Sequence, residues 1–513
     1  MEVFIMVVQH NLRAMNANRM LGITQGTLSK SAEKLSSGYK VNRAADDAAG
    51  LSISEKMRKQ IRGLSQASLN AEDGISAVQT AEGALTEVHD MLQRMNELAT
   101  KASNGTNALS DRQTIQDEVD QLLTEIDRVS ETTKFNEMYL LKGDTDKVTR
   151  YLNAKDAGLD GTISQNATRA SFTMNALKLG DSITIAGKEY TIGSNDETMT
   201  QDAIIRSMTN GQFGNNDLLN NKDALNAAAM AGAHIDVDGT QYTIVTDAAQ
   251  ENADKNILTF SNILEKIEIG STAEYNGKTY HTLTDGTLLP DGSLDGSDDI
   301  DDINASYITD LQAYKLIRQE LGLANNIGAN KENSDVDIVI TDDNNVTLNL
   351  ATAPDTTPIT NAKKVTFTFD KGQYTAKEDF NFSLHVGADA DMTNKISVGI
   401  KALDTAGLGI DGLNVKDSTG ASATYAIDSI SDAIASVSAQ RSLLGAVQNR
   451  LEHTINNLDN VVENTTAAES QIRDTDMATE MVKYSNANIL SQAGQSMLAQ
   501  GNQANQGVLS LLG

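Results

Sequence analysis

The sequence predicts a molecule that is mainly α at both ends, where long antiparallel helices form a coiled-coil rod, with an inserted α+β, strand-rich variable region between them. Three observations carry this prediction. The only prolines among 513 residues are Pro290, Pro354 and Pro358, which leaves 289 residues before them and 155 after them free of helix breakers. Apolar residues recur at helical spacing in both ends and alternate between turn signals in the middle. Three long apolar stripes, two near the N-terminus and one near the C-terminus, can bury one another only if the chain returns on itself.

From Gln9 to about Ser36 the residues Leu12, Met15, Met20, Ile23, Leu28 and Leu35 give a sparse helical stripe, stopped by Gly38. An Ala-rich link through Asp46, Asp47 and Gly50 leads to a long helix starting near Ser52. Its stripe is Met57, Ile61, Leu64, Ala71, Ile75, Val78, Leu85, Val88, Leu92, Met95 and Leu98. Ser110 with Asp111 offers a cap for the next helix, whose face Ile115, Val119, Leu122, Ile126 and Val129 steps 4, 3, 4, 3, a coiled-coil seam. The matching C-terminal stripe is Ile430, Ile434, Val437, Leu444, Val447, Leu451, Ile455, Leu458 and Val462.

The insertion, residues 151–383, changes texture. A strand, an x-Gly turn and a strand with Tyr three residues after the Gly occur at Ser182–Ile192, His234–Ile244 and Thr272–Thr282. The spacings of 52 and 38 residues are too uneven for a solenoid, so two small α+β modules are expected. Helices follow at Thr200–Met208 and Ala305–Leu321, and hairpins at Val336–Leu350 and Val365–Thr375.

The last stretch, Met477–Gly513, is helical in period but cannot stand alone. Met477, Met481, Tyr484, Leu490, Met497 and Val508 form a thin stripe interrupted by Gly494, Gly501 and Gly507, each costing about 1 kcal/mol against Ala. Beyond Lys483 it carries no charge. Such a helix orders where something else covers it: either its own domain, as a docked tail, or several copies of the chain, as an assembly helix.

Composition excludes several functions. Residues 146–425 hold 21 Lys and Arg against 41 Asp and Glu, so a nucleic-acid partner is not expected and the middle reads as a solvated, self-repelling exterior. Without cysteine there is no disulfide scaffold, thiol nucleophile or Cys-ligated zinc. The apolar run Val3–Val8 is too short for a secretory signal, and no run approaches the roughly 18 residues needed to span a membrane. His10, His89, His234, His281, His385 and His453 are scattered, and no catalytic motif appears, so neither an enzyme nor a cofactor is expected. Asp291, Ser293, Asp295, Gly296, Asp299 and Asp302 fall at EF-hand loop positions, but Asp298 takes an apolar position, Asp302 replaces Glu and Pro290 bars an entering helix. The stretch reads as an acidic loop, with no metal site assigned.

VVQHNLRAMNANR, AEKLSSGYKVNRAADDAAGLSISEKMR, NAEDGISAVQTAEGAL and ANILSQAGQSMLAQGNQANQGVLSLL resemble bacterial flagellin, over residues 6–145 and 384–513. The resemblance implies residues 1–45 and 476–513 as a terminal coiled-coil assembly domain forming the inner tube of a filament. It implies 46–150 and 384–475 as a helical rod and 151–383 as a variable outer region whose Ser and Thr are candidates for O-linked sugars. It also implies a secreted homopolymer used for motility, exported through a type III apparatus without a cleaved signal, with an export chaperone and a filament cap as further partners. The family begins at a Met-Val-Val-Gln-His that starts here at Met6, so Met1–Ile5 read as a misplaced start. A further implied partner is vertebrate Toll-like receptor 5, whose binding Arg, Leu and Glu align with Arg94, Leu98 and Glu118; Asn96 stands where many relatives carry a basic residue. A hook–filament junction protein shares the terminal pattern less closely, a metalloprotease insertion would need the HExxH that is missing, and an adhesin would reside in 151–383.

Overall fold

The structure, a computed structural model, describes residues 11–208, 226, 231–284, 299–301, 303–329, 336–342, 347–349, 362–417 and 419–512. Helix α1, Leu12–Ser37, is capped by the Asn11 side chain accepting from Ala14 N–H, and it ends on Gly38, whose φ of 77° returns its N–H to the Lys34 carbonyl. Helices α2 (Ala48–Ala102) and α3 (Leu109–Thr132) follow. The insertion contributes α4 (Glu197–Met208), α5 (Phe260–Leu264) and α6 (Asp310–Asn326). The chain returns through a short α7 (Thr405–Leu408), then α8 (Ala421–Arg473) and α9 (Met477–Leu512). It divides into two compact units, residues 1–79 with 381–399 and 443–513, and residues 80–380 with 400–442.

In the first unit, strand Phe380–His385 pairs with Lys395–Ile400 as a two-stranded sheet. Ile396, Ala71 and Leu451 form a buried cluster joined by Ile75, Leu384, Val386, Val447 and Ile455. The Leu384 side chain lies over Gly74, where an added Cβ would push it aside.

In the second unit the long stripe is closed: Leu85, Val88, Leu92, Met95 and Leu98 of α2, Ile115, Val119 and Ile126 of α3, and Ile430 and Val437 of α8 are all buried. On α3 the buried leucine is Leu123 rather than the expected Leu122. The expected Ser110 cap is displaced as well. Ala108 is the cap residue and offers no side-chain acceptor, and the Asp111 carboxylate instead accepts the Ala108 N–H at 3.2 Å. Buried Arg112 fixes this end of the unit, donating to the carbonyls of Ala102, Asn104 and Asp417, and Gln116 bridges the Leu413 carbonyl and the Val415 N–H.

The three echoed segments form three antiparallel hairpins, Ser182–Ile185 with Lys188–Gly193, His234–Val237 with Thr240–Val245, and Thr272–Tyr275 with Lys278–His281. Each turn has two positive-φ residues, Ala186-Gly187, Asp238-Gly239 and Asn276-Gly277, the geometry that matches the twist of two-residue hairpins. They serve two cores. One holds Phe172, Phe367, Ile192, Tyr314 and Ile317, under the five-strand order Thr347–Asn349, Val336–Asp342, Ala362–Asp370, Arg169–Asn175, Thr162–Gln165. The other holds Ile204, Ile235, Ile244, Phe260 and Tyr280.

The expected hairpin Val365–Thr375 does not form. Ala362–Asp370 pairs with Val336–Asp342 and Arg169–Asn175, whereas Gln373–Lys377 pairs with Lys147–Tyr151. Between them the Lys371 N–H donates to the Thr168 carbonyl and the Gly372 carbonyl accepts from Leu152, so the chain passes from one sheet to another instead of turning back.

The first core also holds the start of α8. Tyr425 packs into it and donates to Glu320 at 2.7 Å, and the ammonium of buried Lys155 bonds the hydroxyl of Ser429. Burial pushes the Lys155 amine down to about 8, against the attraction of Asp432 and Asp428. The folded state thus releases this proton more readily than the unfolded chain, whose lysine titrates near 10.5. Below about pH 8 the charge is a constant penalty, and stability from this group rises between about pH 8 and 10.5, on the order of 3 kcal/mol in full. Lys155→Met should remove that rise and stabilise the unit at pH 7, as read by urea unfolding followed by circular dichroism at pH 7 and pH 9.5.

Candidate assembly face

Helices α1 and α9 run antiparallel, with Cα atoms within 8 Å of one another. The Asn11 amide donates to the Gly501 carbonyl at 3.2 Å near one end, and the Ser31 hydroxyl donates to Glu480 Oε1 at 2.6 Å towards the other. Covered positions are Ala14, Ala17, Leu21, Thr24, Leu28, Ser31 and Leu35 on α1, and Glu480, Tyr484, Ala487, Ser491, Gly494, Leu498 and Gly501 on α9. Both series step by three and four, the period of a two-helix seam. The seam is nonetheless made mostly of small and polar side chains. Leu21 lies against Gly494 and Ala14 against Gly501.

The large apolar residues lie elsewhere. Leu12, Met15, Met20 and Ile23 on α1, and Met477, Met481, Val482, Ile489, Leu490 and Met497 on α9, are 48–66% exposed. Of the six residues in the α1 stripe, only Leu28 and Leu35 turn towards α9. Among the α9 residues singled out from sequence, Tyr484 is on the seam, Met477, Met481, Leu490 and Met497 are on the outer face, and the Val508 side chain lies outside the described residues. So many large apolar side chains left exposed on one helix pair point to a candidate interface.

Sequence reasoning passed over two features. Glu480 is buried in the seam, where the Ser31 hydroxyl, with support from Lys483 at 3.1 Å, holds its carboxyl below the ordinary glutamate range. At the far end of the pair the two connections cross as a single antiparallel bridge, with Lys40 N–H donating to the Arg473 carbonyl and Thr475 N–H to the Gly38 carbonyl. The Tyr39 ring sits there between the guanidinium groups of Arg473 and Arg58, 4.9 and 5.9 Å from its centroid. An isolated acidic residue in an otherwise amide-rich helix was the available signal for Glu480.

In the second unit Arg94 donates through Nε and Nη2 to Glu118 Oε1, at 3.0 and 2.8 Å, and through Nη1 to Glu97 at 3.0 Å. Arg94 and Glu118 are exposed, so their ion pair adds little stability and chiefly fixes a charged display across α2 and α3. Leu98 is only 3% exposed, buried in the stripe of α2.

The acidic stretch Asp291–Asp302 lies outside the described residues except for Asp299, Ile300 and Asp301. Asp301 is committed to structure, accepting from His281 Nε2 at 2.9 Å and from the N–H groups of Thr284, Ile303 and Asn304. Among the described residues no group of three or more acidic or histidine side chains could hold a metal, and no helix is long and apolar enough to cross a membrane.

The bacterial flagellin N-terminal helical region matches residues 8–146, and the C-terminal helical region matches residues 427–512. A flagellin of Clostridium tyrobutyricum is 36% identical over 98% of this chain and 100% of its own length. A flagellin of Salmonella typhimurium is 32% identical over 98% and 99%, and one of Bacillus subtilis 31% over 99% and 100%.

Glu480→Ala leaves the Ser31 hydroxyl without its acceptor inside the seam and should loosen the pair by about 1–2 kcal/mol. Amide hydrogen exchange at residues 24–35 should accelerate accordingly, with exchange in α3 unchanged; equal protection in wild type and variant would show that the seam does not depend on this bond.

Proposed function

The chain belongs to the bacterial flagellin family and is a structural filament subunit rather than an enzyme, and from that premise we propose that it polymerises by burying the outer faces of α1 and α9 against neighbouring copies. The observation that carries this reading is that ten large apolar residues of the terminal pair face outward while most of its covered positions are small or polar. Burying a Leu, Ile or Met side chain stabilises by about 1.5–3 kcal/mol, so faces of this size can drive association once copies meet. In the filament, residues 1–45 and 476–513 form a coiled-coil inner tube, 46–150 and 384–475 the rod, and 151–383 the outer surface of an organelle of motility. The subunit leaves the cell through a type III apparatus without a cleaved signal. An export chaperone holds the weak C-terminal helix beforehand, and a cap directs its folding at the filament tip.

Vertebrate Toll-like receptor 5 is proposed to read the display made by Arg94 and Glu118. Leu98 acts from beneath, setting how the two helices hold these charges.

Two measurements test these readings. Purified chain added to preformed seeds should elongate them, and a chain lacking residues 477–513 should not; growth of the truncated chain would overturn the mechanism. Combined Arg94→Ala and Glu118→Ala should weaken receptor capture about tenfold or more, given the cost of losing hydrogen-bonded charges at an interface, and capture at wild-type strength would refute the surface.

A further inference from the structure

The chain has no cysteine and no tryptophan, which leaves the methionine thioether as its side chain most readily oxidised by two electrons. The terminal pair sorts these sulfurs by position. Met15, Met20, Met477, Met481 and Met497 are 48–64% exposed, whereas Met95, Met174 and Met208 of the second unit are buried. No covered seam position of α1 or α9 is a methionine. Five thioethers therefore lie on the apolar outer face of the pair, and oxidising them leaves the contacts between α1 and α9 in place.

A peroxide transfers one oxygen to such a sulfur. The O–O bond breaks, an S–O bond forms, the sulfur loses two electrons and the peroxide leaves as water. The sulfoxide has nearly the shape of the thioether but carries a strong dipole, and burying that dipole without a hydrogen-bond partner opposes association.

We propose that Met15, Met20, Met477, Met481 and Met497 form an oxidative modification site through which peroxides switch off self-assembly of the free subunit. The proposal rests on the assembly reading above. It also gives the switch a direction, because polymerisation covers these sulfurs: oxidant disables subunits not yet incorporated and spares the finished filament.

The test treats full-length, unpolymerised protein with dilute hydrogen peroxide, maps sulfoxides by peptide mass spectrometry and follows elongation from preformed seeds. The five should oxidise ahead of Met95, Met174 and Met208, and elongation should fall about tenfold or more as they do, through the polarity added to the buried face. Methionine sulfoxide reductases should restore it. A variant combining Met15→Leu, Met20→Leu, Met477→Leu, Met481→Leu and Met497→Leu keeps exposed Met138 and Met392 and should elongate equally before and after peroxide. Undiminished elongation by protein carrying sulfoxide at all five positions would overturn the proposal, as would an equal loss in the leucine variant. Failure of untreated wild-type protein to elongate would instead remove the assembly reading, and the proposal with it. Reductase rescue of the native chain decides the matter should the leucine variant fold poorly.

Discussion

The close approach of α1 and α9 is the constraint from which the behaviour of both ends follows. Their Cα atoms come within 8 Å along a seam in which Ala14, Ala17, Ser31, Ala487, Ser491, Gly494 and Gly501 alternate with Leu21, Leu28, Leu35, Tyr484 and Leu498. The small members of this seam remove little apolar area from water, so the pair gains only part of its stability from its own contacts. Ten large apolar residues face outward, and in the proposed assembly their burial waits for another molecule. Folding of the ends and association of copies become one process, as in segments that order only on binding.

The sequence disclosed the helices themselves and left open which faces of the terminal pair meet. Proline-free ends and a period of three to four are local signals, and α2, α3 and α8 appeared with their stripes buried or half-buried throughout. In α1 the stripe of large apolar residues did not say which partner it faces. Where many of the facing positions are small, most of the large apolar residues are left on the outer face. The series Ala14, Ala17, Leu21, Thr24, Leu28, Ser31, Leu35 steps 3, 4, 3, 4, 3, 4, and was legible in principle to anyone asking where the backbone could come close rather than where oil should be hidden.

The insertion divides along the same line between local and non-local information. Three hairpins could be located because a two-residue turn of this hand requires φ above zero at both positions, and Ala-Gly, Asp-Gly and Asn-Gly are among the few pairs seen in this chain that meet it. The segment Val365–Thr375 has the right alternation but joins strands of two different sheets, and its partners lie as far away as Lys147–Tyr151. Nothing within the segment could announce that. Lys155 and Asn325 are likewise invisible to local patterns, since their burial depends on the return of the chain: Asn325 Oδ1 accepts the Lys155 N–H at 2.8 Å while the amine reaches Ser429. The candidate receptor residues fall in between, with Arg94 and Glu118 on exposed helix positions and Leu98 on the buried stripe, as spacing alone would place them.

Charge decides where copies of such a chain can touch. The region 146–425 carries roughly twice as many acidic as basic residues and repels its like. The outer face of α9 beyond Lys483 has no charge to repel or to attract, and its amides and small side chains ask only for shape and exclusion of water. Where the pair joins the rest of its unit, Arg58 and Arg473 lie against the Tyr39 ring and Arg473 also reaches Glu55 at 2.5 Å. Placing ion pairs at the junction and apolar surface along the shaft separates two tasks: the first aligns the helices of a single chain, and the second remains unsatisfied until another chain arrives. That separation also explains why oxidation of surface thioethers would strike assembly while sparing the fold, for the sulfurs belong entirely to the second task.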